Sequence, residues 1–129
     1  YTLGVMGVLT AWDAKSGSVQ WRKDFSKSIS TAKLFTGTAM SPVLDSGFLI
    51  VHVGDDSGGN VIAYDPATGA EKWNTRTDGP GYASPVVAVF DGVRQLVTLT
   101  DRSAIGIRTA DGKQLWSIPY KDEWNENIP

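Results

Sequence analysis

The stretch AYDPATGAEKW, residues 63–73, decides the fold of this chain because it occurs more than once. A small residue and an aromatic residue are followed by aspartate, a turn that ends in glycine, and tryptophan four residues after that glycine. The same order stands in AWDAKSGSVQW at residues 11–21, and GIRTADGKQLW at residues 106–116 is a diverged third copy. Three copies identify a repeat protein, and a repeat indicates the architecture more strongly than any local feature does.

The glycine of each copy measures the period of the repeat. Gly17 and Gly69 lie 52 residues apart, and Gly69 and Gly112 lie 43 residues apart. A second marker, Ser-Pro-Val, stands at residues 41–43 and 84–86 with the same spacing of 43. Short strands and frequent turns at a period of roughly 40–50 residues are typical of β-propeller blades. The chain is therefore predicted to be all-β, a partial propeller of about three four-stranded antiparallel blades.

Each blade is expected to contain two hairpins. Residues 43–44 and 48–53 flank an Asp-Ser-Gly turn, and residues 86–90 and 93–100 flank an Asp-Gly turn, which is a strong hairpin signal. The eleven-residue motif then forms the second hairpin, so that its tryptophan lies on the last strand of the blade.

The motif residues are predicted to have structural roles. The aspartates accept hydrogen bonds from backbone N–H groups of the following turn, and the glycines adopt the positive φ that such a turn requires. The small residues leave room for a large partner, and the tryptophans pack between one blade and the next. A role of the tryptophans as a ligand platform is the alternative, and their regular recurrence favours the structural role. These positions are Ala11, Asp13, Gly17, Trp21, Ala63, Asp65, Gly69, Trp73, Gly112 and Trp116.

The markers divide one partial propeller domain, 1–129, into blades. Residues 1–25 are expected to form an incomplete blade, 36–77 and 80–120 one blade each, and 121–129 the start of the next blade. Because proteins rarely leave strand edges bare, the expected partners are other propeller blades, a protein partner, or a second copy bound through open blade edges.

Composition excludes several classes of function. The net charge of −2 lacks the basic footprint of a nucleic-acid-binding protein, and no run of 18 apolar residues is present to span a membrane. The absence of cysteine excludes disulfides and thiolate metal sites. The chain starts at Tyr1 without a targeting segment, and we expect it to be a piece of a longer protein.

The motif resembles the repeat of pyrroloquinoline quinone (PQQ) dehydrogenase-type propellers, A-x-D-x-x-T/S-G-x-x-x-W. Residues 11–21 and 63–73 match at every fixed position, whereas residues 106–116 keep only the glycine and the tryptophan. The resemblance implies a propeller of about eight blades in full members, and a periplasmic or extracellular location. The family includes quinoprotein dehydrogenases, a lipoprotein of outer-membrane protein assembly, and sensor or scaffold domains, so the motif is specific for fold rather than for function.

No catalytic residue is predicted, and cofactor-binding residues stay unknown. The oxygen-rich loop 54–60 makes Asp55 and Asp56 weak candidates for Ca²⁺, but it lacks a bidentate glutamate, and a polar connecting loop is the favoured interpretation. His52 is the only histidine and is expected to be a hydrogen-bonded structural residue. Residues 121–127 combine acidic, amide and aromatic side chains, and a solvated linker is favoured over a cation or partner site.

The favoured function is a non-catalytic PQQ-like propeller module that binds or scaffolds a protein or a ligand, as part of a larger propeller. This hypothesis needs no cofactor in the chain. The alternative is a fragment of a PQQ- and Ca²⁺-dependent quinoprotein dehydrogenase that oxidises alcohols or sugars. By the resemblance, such an enzyme holds Ca²⁺ with Glu, Asn and Asp ligands and has a catalytic Asp and vicinal cysteines, and no position here matches that set.

Overall fold

The computed structural model describes residues 1–30, 38, 40–121 and 123, and all regular structure in these ranges is β-strand. The prediction of an all-β fold is confirmed. Within the same ranges no helix is long and apolar enough to cross a membrane. The strands in chain order are β1 (Thr2–Gly4), β2 (Val8–Trp12), β3 (Val19–Asp24), β4 (Val43–Asp45), β5 (Phe48–Asp55), β6 (Gly58–Tyr64), β7 (Glu71–Thr77), β8 (Val86–Phe90), β9 (Val93–Leu99), β10 (Ser103–Arg108) and β11 (Gln114–Pro119).

The strands form three antiparallel sheets, each a meander of consecutive strands. The first sheet has the order β1-β2-β3, the second β4-β5-β6-β7 and the third β8-β9-β10-β11. The second and third sheets are the four-stranded units that the repeat predicts, and the first has three described strands. In each sheet the pairing register shifts directly after the small motif residue, which is Ala11, Ala63 or Gly106. The three copies therefore share a β-bulge at the same position of the motif.

The first hairpin of each four-stranded sheet closes on a tight turn. Asp91 and Gly92 have φ values of 49° and 76°, and Ser46 and Gly47 have values of 49° and 81°. Positive φ at both central residues matches the right-handed twist of the flanking strands. The Asp-Gly turn predicted at 91–92 is confirmed. The turn predicted at residues 45–47 consists of Ser46 and Gly47 alone, because Asp45 belongs to β4 and pairs with Phe48.

The motif turn has the geometry that the sequence predicts. Asp65 Oδ1 accepts hydrogen bonds from the backbone N–H of Ala67 at 3.0 Å and of Thr68 at 3.1 Å. The Gly69 N–H donates to the Asp65 carbonyl at 2.8 Å, and Gly69 has φ of 70°. Asp13 forms the same turn in the first copy. The predicted positive φ at the three motif glycines is confirmed, with 72° at Gly17 and 74° at Gly112 in addition.

The diverged third copy keeps the turn with different side chains. Arg108 replaces the aspartate, and its guanidinium pairs with Asp111 in the same turn. Asp111 Oδ1 accepts the Lys113 N–H at 3.1 Å, while the Gly112 N–H still donates to the Arg108 carbonyl at 2.9 Å. The backbone conformation therefore survives the loss of the consensus aspartate.

The core lies in two layers between the sheets. Alternate residues of a strand point to opposite faces of its sheet, and β5 is apolar on both faces, so Val51 packs toward the first sheet and Ile50 toward the third. The first layer contains Leu9, Leu49, Val51, Val53, Ile62 and Tyr64. The second layer contains Ile50, Val61, Ala63, Leu96, Ile105 and Ile107.

Trp21 joins the first sheet to the second. Its ring lies over the motif turn of the next repeat, where a Cβ on Gly69 would stand 2.9 Å from the ring atom Cδ2. Trp21 Nε1 donates to the Pro66 carbonyl at 3.0 Å, and the Trp21 and Tyr64 ring centroids are 6.5 Å apart. Only glycine leaves the space for this contact.

Trp73 joins the second sheet to the third in the same way. Its ring lies over Gly112, where a Cβ would stand 2.5 Å from the ring atom Cε3, and its Nε1 donates to the Thr109 carbonyl at 3.0 Å. In both joints the acceptor carbonyl stands three residues before the motif glycine. The two contacts make one repeated joint between neighbouring sheets.

We predict that Trp73→Ala lowers the free energy of unfolding by about 3 kcal/mol, the lower end of the range for buried tryptophan truncations. The reason is that Trp73 is partly buried against the second core layer and donates a hydrogen bond there. Urea unfolding of dilute protein measures the change.

Trp12→Ala is the matched control. Trp12 is also a strand tryptophan, but it is 46% exposed and donates only to the exposed Thr2 hydroxyl. Its truncation is expected to cost about 0.5 kcal/mol, as at other surface positions. Equal losses in the two variants would contradict the role of Trp73 as a joint between sheets.

Candidate functional site

A groove of about 510 Å³ lies between the tips of the β4–β5 and β8–β9 hairpins. We call it the hairpin groove. The third motif turn also contributes to its wall. Its lining residues are Ser46, Phe48, Gly92, Val93, Arg94, Arg108, Thr109 and Ala110.

An ion pair joins the two hairpins at this groove. Arg94 Nε donates to Asp45 Oδ1 at 2.8 Å and to Oδ2 at 3.0 Å, and the Ser46 hydroxyl donates to Oδ2 at 2.9 Å. The Arg94 hydrogen bond lowers the pKa of the Asp45 carboxyl, against the opposing effect of burial. Asp45 is buried while Arg94 is about half exposed, so the carboxylate is the anchored member of the pair.

Sequence analysis missed this pair, because Asp45 and Arg94 belong to different repeats and neither belongs to the eleven-residue motif.

The second arginine of the groove is also neutralised. Arg108 Nε donates to Asp111 Oδ1 at 2.8 Å. The two guanidinium groups are therefore paired, and the groove carries little net charge.

An exposed apolar side chain borders the groove. Val89 pairs with Arg94 across the β8–β9 hairpin. Directly paired residues lie on the same face of a sheet, so Val89 stands beside a residue that lines the groove, and it is 55% exposed. Phe90, the next residue, is 50% exposed on the opposite face of the strand. Val89 is therefore an apolar surface beside the groove that a partner can cover.

A second cavity, of about 390 Å³, lies between the first and second sheets. It is more polar, and it includes Asp55, one of the weak Ca²⁺ candidates. Both carboxylate oxygens of Asp55 accept backbone hydrogen bonds, Oδ1 from Ser57 at 2.8 Å and Oδ2 from Ser30 at 2.7 Å. Asp55 thus ties the segment after β3 to the end of β5.

Asp56, the other weak Ca²⁺ candidate, lies near the Asp101 carboxyl. Burial raises the pKa of that carboxyl, the charge of Arg102 opposes the increase, and the negative charges of Asp78 and Asp56 add to it. In the described part of the chain, no group of three or more His, Cys, Asp or Glu residues is arranged to hold a metal ion.

His52 is buried within β5. Its Nε2 lies 3.0 Å from the Thr77 hydroxyl and 3.2 Å from the Asp78 carbonyl. Burial lowers the pKa of His52 to about 4, so the ring is neutral near pH 7. These contacts agree with the hydrogen-bonded structural histidine that the sequence predicts.

Of the segment 121–127, only Lys121 and Glu123 fall within the described residues, so its predicted linker role lies outside them.

The remaining motif tryptophan, Trp116, makes a different contact from Trp21 and Trp73. Its Nε1 donates to Gln95 Oε1 of its own sheet at 2.8 Å, and its ring lies over Gly106.

Stacked four-stranded meanders with the same turn in each repeat define a β-propeller repeat protein of the PQQ-like type. The family described as outer membrane protein assembly factor BamB matches residues 1–127, and the chain belongs to this family. The resemblance inferred from the motif is thereby confirmed.

The crystal structure of BamB from Moraxella catarrhalis superposes on 89% of this chain with a TM-score of 0.62 and 15% sequence identity. The chain spans 30% of the length of that protein. At this identity the likeness shows the fold alone. A search of curated proteins found no match.

We predict that Asp45→Asn destabilises the chain at pH 7 by about 1–2 kcal/mol, because a hydrogen-bonded charge pair becomes a weaker contact and Arg94 is partly screened by solvent. The folded state lowers the pKa of Asp45 below 3.8. Its stabilising contribution is therefore present above the unfolded pKa and is lost as the pH falls through the folded value.

Urea unfolding between pH 7 and pH 2 measures this effect. The stability difference between the wild type and Asp45→Asn is expected to shrink below pH 3.8. Asp91→Asn is the control, because asparagine tolerates the positive φ of that turn, and its expected change is within about 0.5 kcal/mol. A deficit of Asp45→Asn that is independent of pH would rule out the charge pair as its cause.

Proposed function

We propose that the chain is a non-catalytic module of a larger propeller and that its hairpin groove binds an apolar segment of a partner protein. The observation that carries this proposal is the groove itself, with the exposed side chain of Val89 beside Arg94 at its edge. The description of the family as an assembly factor for outer membrane proteins supports a protein as the partner. We place the module in the periplasm on the same ground.

The composition of the groove favours an extended peptide over a small charged ligand. Arg94 and Arg108 are each paired with an aspartate, so no unpaired positive charge of these two residues attracts an anion. Phe48 and Val93 supply apolar walls, and Ser46 and Thr109 supply polar ones. A strand-like segment that alternates apolar and polar side chains matches both kinds of wall.

Outer-membrane β-barrel strands have such an alternation over about ten residues. The probe is therefore a synthetic ten-residue peptide that alternates valine or phenylalanine with threonine or serine. A peptide of the same composition, with its apolar residues grouped at one end, is the control for pattern. Amide chemical shifts of the labelled chain report where each peptide binds.

We predict that the alternating peptide shifts the amide signals of Gly92, Val93 and Thr109, and that Val89→Ser weakens its binding at least about fivefold, as loss of an apolar interface contact does. Val19→Ser is the matched control, because Val19 is 52% exposed on the first sheet and lies outside the groove. Its affinity for the peptide is expected to equal that of the wild type.

Two results would contradict this site. One is peptide binding whose shifts fall outside the groove. The other is an equal loss of affinity in Val89→Ser and Val19→Ser, which would indicate non-specific apolar association. Absence of binding by the alternating peptide would contradict the proposed partner chemistry.

The alternative, a fragment of a quinoprotein dehydrogenase, has less support from the residues present. A PQQ site requires free carboxylate and amide oxygens around Ca²⁺, and both carboxylate oxygens of Asp55 are engaged by backbone N–H groups. Asp55 is therefore a poor candidate ligand, and we assign no reaction to the described residues.

We predict that PQQ with Ca²⁺ leaves the melting temperature unchanged. A ligand at 100 times its dissociation constant stabilises a protein by about 2.7 kcal/mol, a shift that thermal unfolding detects easily. Dye-linked oxidation of alcohols and sugars under the same conditions is expected to stay at the level of free PQQ. A melting shift that disappears in Asp55→Asn or Asp56→Asn would instead favour the enzyme hypothesis.

A further inference from the structure

The β-bulge of the second sheet brings three polar side chains of β7 onto the face that looks toward the first sheet. Without a register shift, Glu71 and Asn74 would lie on opposite faces, because they are three residues apart. The shift makes Lys72 the extra residue. Each polar residue therefore pairs with a residue of β6 whose side chain faces the first sheet. The pairs are Tyr64 with Glu71, Ile62 with Asn74, and Asn60 with Arg76.

These three side chains of β7 line the cavity of about 390 Å³ between the first and second sheets, which we call the inter-sheet cavity. Val53 and Ile62 give it an apolar floor, and Phe25, from the segment after β3, adds a further apolar wall. The described lining residues all come from the second sheet and from that segment. The volume falls in the range of about 300–1,000 Å³ that small-ligand sites have.

Opposite charges stand at the two ends of the β7 row. In the described ranges, neither Glu71 nor Arg76 forms a salt bridge or a side-chain hydrogen bond. The Arg76 guanidinium lies against Gly58, where a Cβ would stand 3.0 Å from Nη2. Burial raises the pKa of Tyr64 to about 12, and the negative charge of Glu71 adds to the increase. The Glu71 carboxylate thus acts on the end of the cavity that Tyr64 lines.

A pair of amides lies between the two charges. Asn60 Nδ2 donates to Asn74 Oδ1 at 2.7 Å. This bond uses one donor and one acceptor, and it leaves the Asn60 carbonyl oxygen and the Asn74 amino group for a ligand. A peptide unit offers the matching N–H and C=O groups, as a neighbouring strand does.

Two other charged groups near the cavity do not neutralise these ends. Both carboxylate oxygens of Asp55 accept backbone N–H groups. Lys23 Nζ lies 5.5 Å from the centroid of the Tyr64 ring, and within the described part of the chain it forms no salt bridge with Glu71. Glu71 and Arg76 are therefore the charged groups that a ligand can pair with.

The distance between these charges sets the length of the ligand. Glu71 and Arg76 lie five residues apart on β7, which at the rise of a strand is a span of about 16 Å. An extended tripeptide is about 10 Å long, and a hydrogen bond at each end adds about 3 Å. A tripeptide with free ends therefore reaches both groups.

We propose that the inter-sheet cavity binds a short zwitterionic peptide in extended form, with its ammonium group at Glu71 and its carboxylate at Arg76. Arginine binds a carboxylate through two parallel N–H bonds. The amide pair of Asn60 and Asn74 bonds to the peptide backbone, and the apolar floor receives a small apolar side chain of the middle residue. The inference is independent of the hairpin groove and of the proposed function.

Titration of the isotope-labelled chain with the tripeptide Ala-Val-Ala tests the site. We expect the free peptide to shift the amide signals of Gly58, Asn60 and Asn74 and to leave those of Gly92 and Thr109, in the hairpin groove, unchanged. N-acetylated and C-amidated forms of the peptide each lack one terminal charge. Each form is expected to bind about fivefold more weakly, the upper end for a partly exposed ion pair.

Variants of the chain assign each end of the peptide. Arg76→Gln is expected to weaken binding of the free peptide about fivefold and to leave the affinity for the C-amidated form unchanged, because that form has no carboxylate. Glu71→Gln is expected to act in the same way on the free and N-acetylated forms. Arg22→Gln is the matched control, because Arg22 is an exposed arginine of β3 outside the cavity lining, and its affinity is expected to equal that of the wild type.

Four outcomes overturn the proposal. The first is equal affinity for the free peptide and a form capped at both ends, because terminal charges would then play no part. The second is a set of shifts confined to the hairpin groove. The third is an equal loss in Arg76→Gln and Arg22→Gln, and the fourth is no binding of the free peptide at millimolar concentration. Circular dichroism melting confirms that each variant is folded.

Discussion

The contact between a tryptophan ring and the motif turn of the next sheet is the constraint on which the rest of the structure depends. A sheet that is apolar on both faces, as the second sheet is along β5, must be covered on both sides. The ring supplies apolar area, and its N–H satisfies a carbonyl of the covered turn. Since the turn glycine has no Cβ, the ring approaches the backbone closely, which sets both the distance and the order of neighbouring sheets.

Divergence of the third copy shows which parts of the motif this contact requires. Replacing the aspartate by Arg108 leaves the turn intact, because Asp111 in the same turn bonds to the Lys113 N–H. Trp73 still docks there, because Gly112 keeps its positive φ. Replacing alanine by Gly106 lets the Trp116 ring lie where a Cβ would otherwise stand, so that this ring rests on its own sheet.

The candidate binding surface is a product of the same stacking. The hairpin groove exists because two hairpins from successive repeats lie side by side, and the Asp45–Arg94 pair holds them together. Pairing of both groove arginines leaves the apolar walls as the main feature that a partner contacts. Because propellers of this kind include enzymes as well as binding proteins, the groove rather than the fold supports protein binding, and the engaged carboxylate of Asp55 argues against a Ca²⁺ site.

The sequence by itself determined the repeat, the strand-rich fold, and the positions of the turns, because each of these depends on local chemistry. Positive φ at Gly17, Gly69 and Gly112 follows from the residues beside them, and the hairpin at Asp91 follows from its Asp-Gly pair. Only the tertiary structure decided which surfaces meet. The Asp45–Arg94 pair and the hairpin groove join residues from different repeats, and the folded-back ring of Trp116 depends on the missing methyl group at Gly106. None of these features leaves a periodic signal in the sequence.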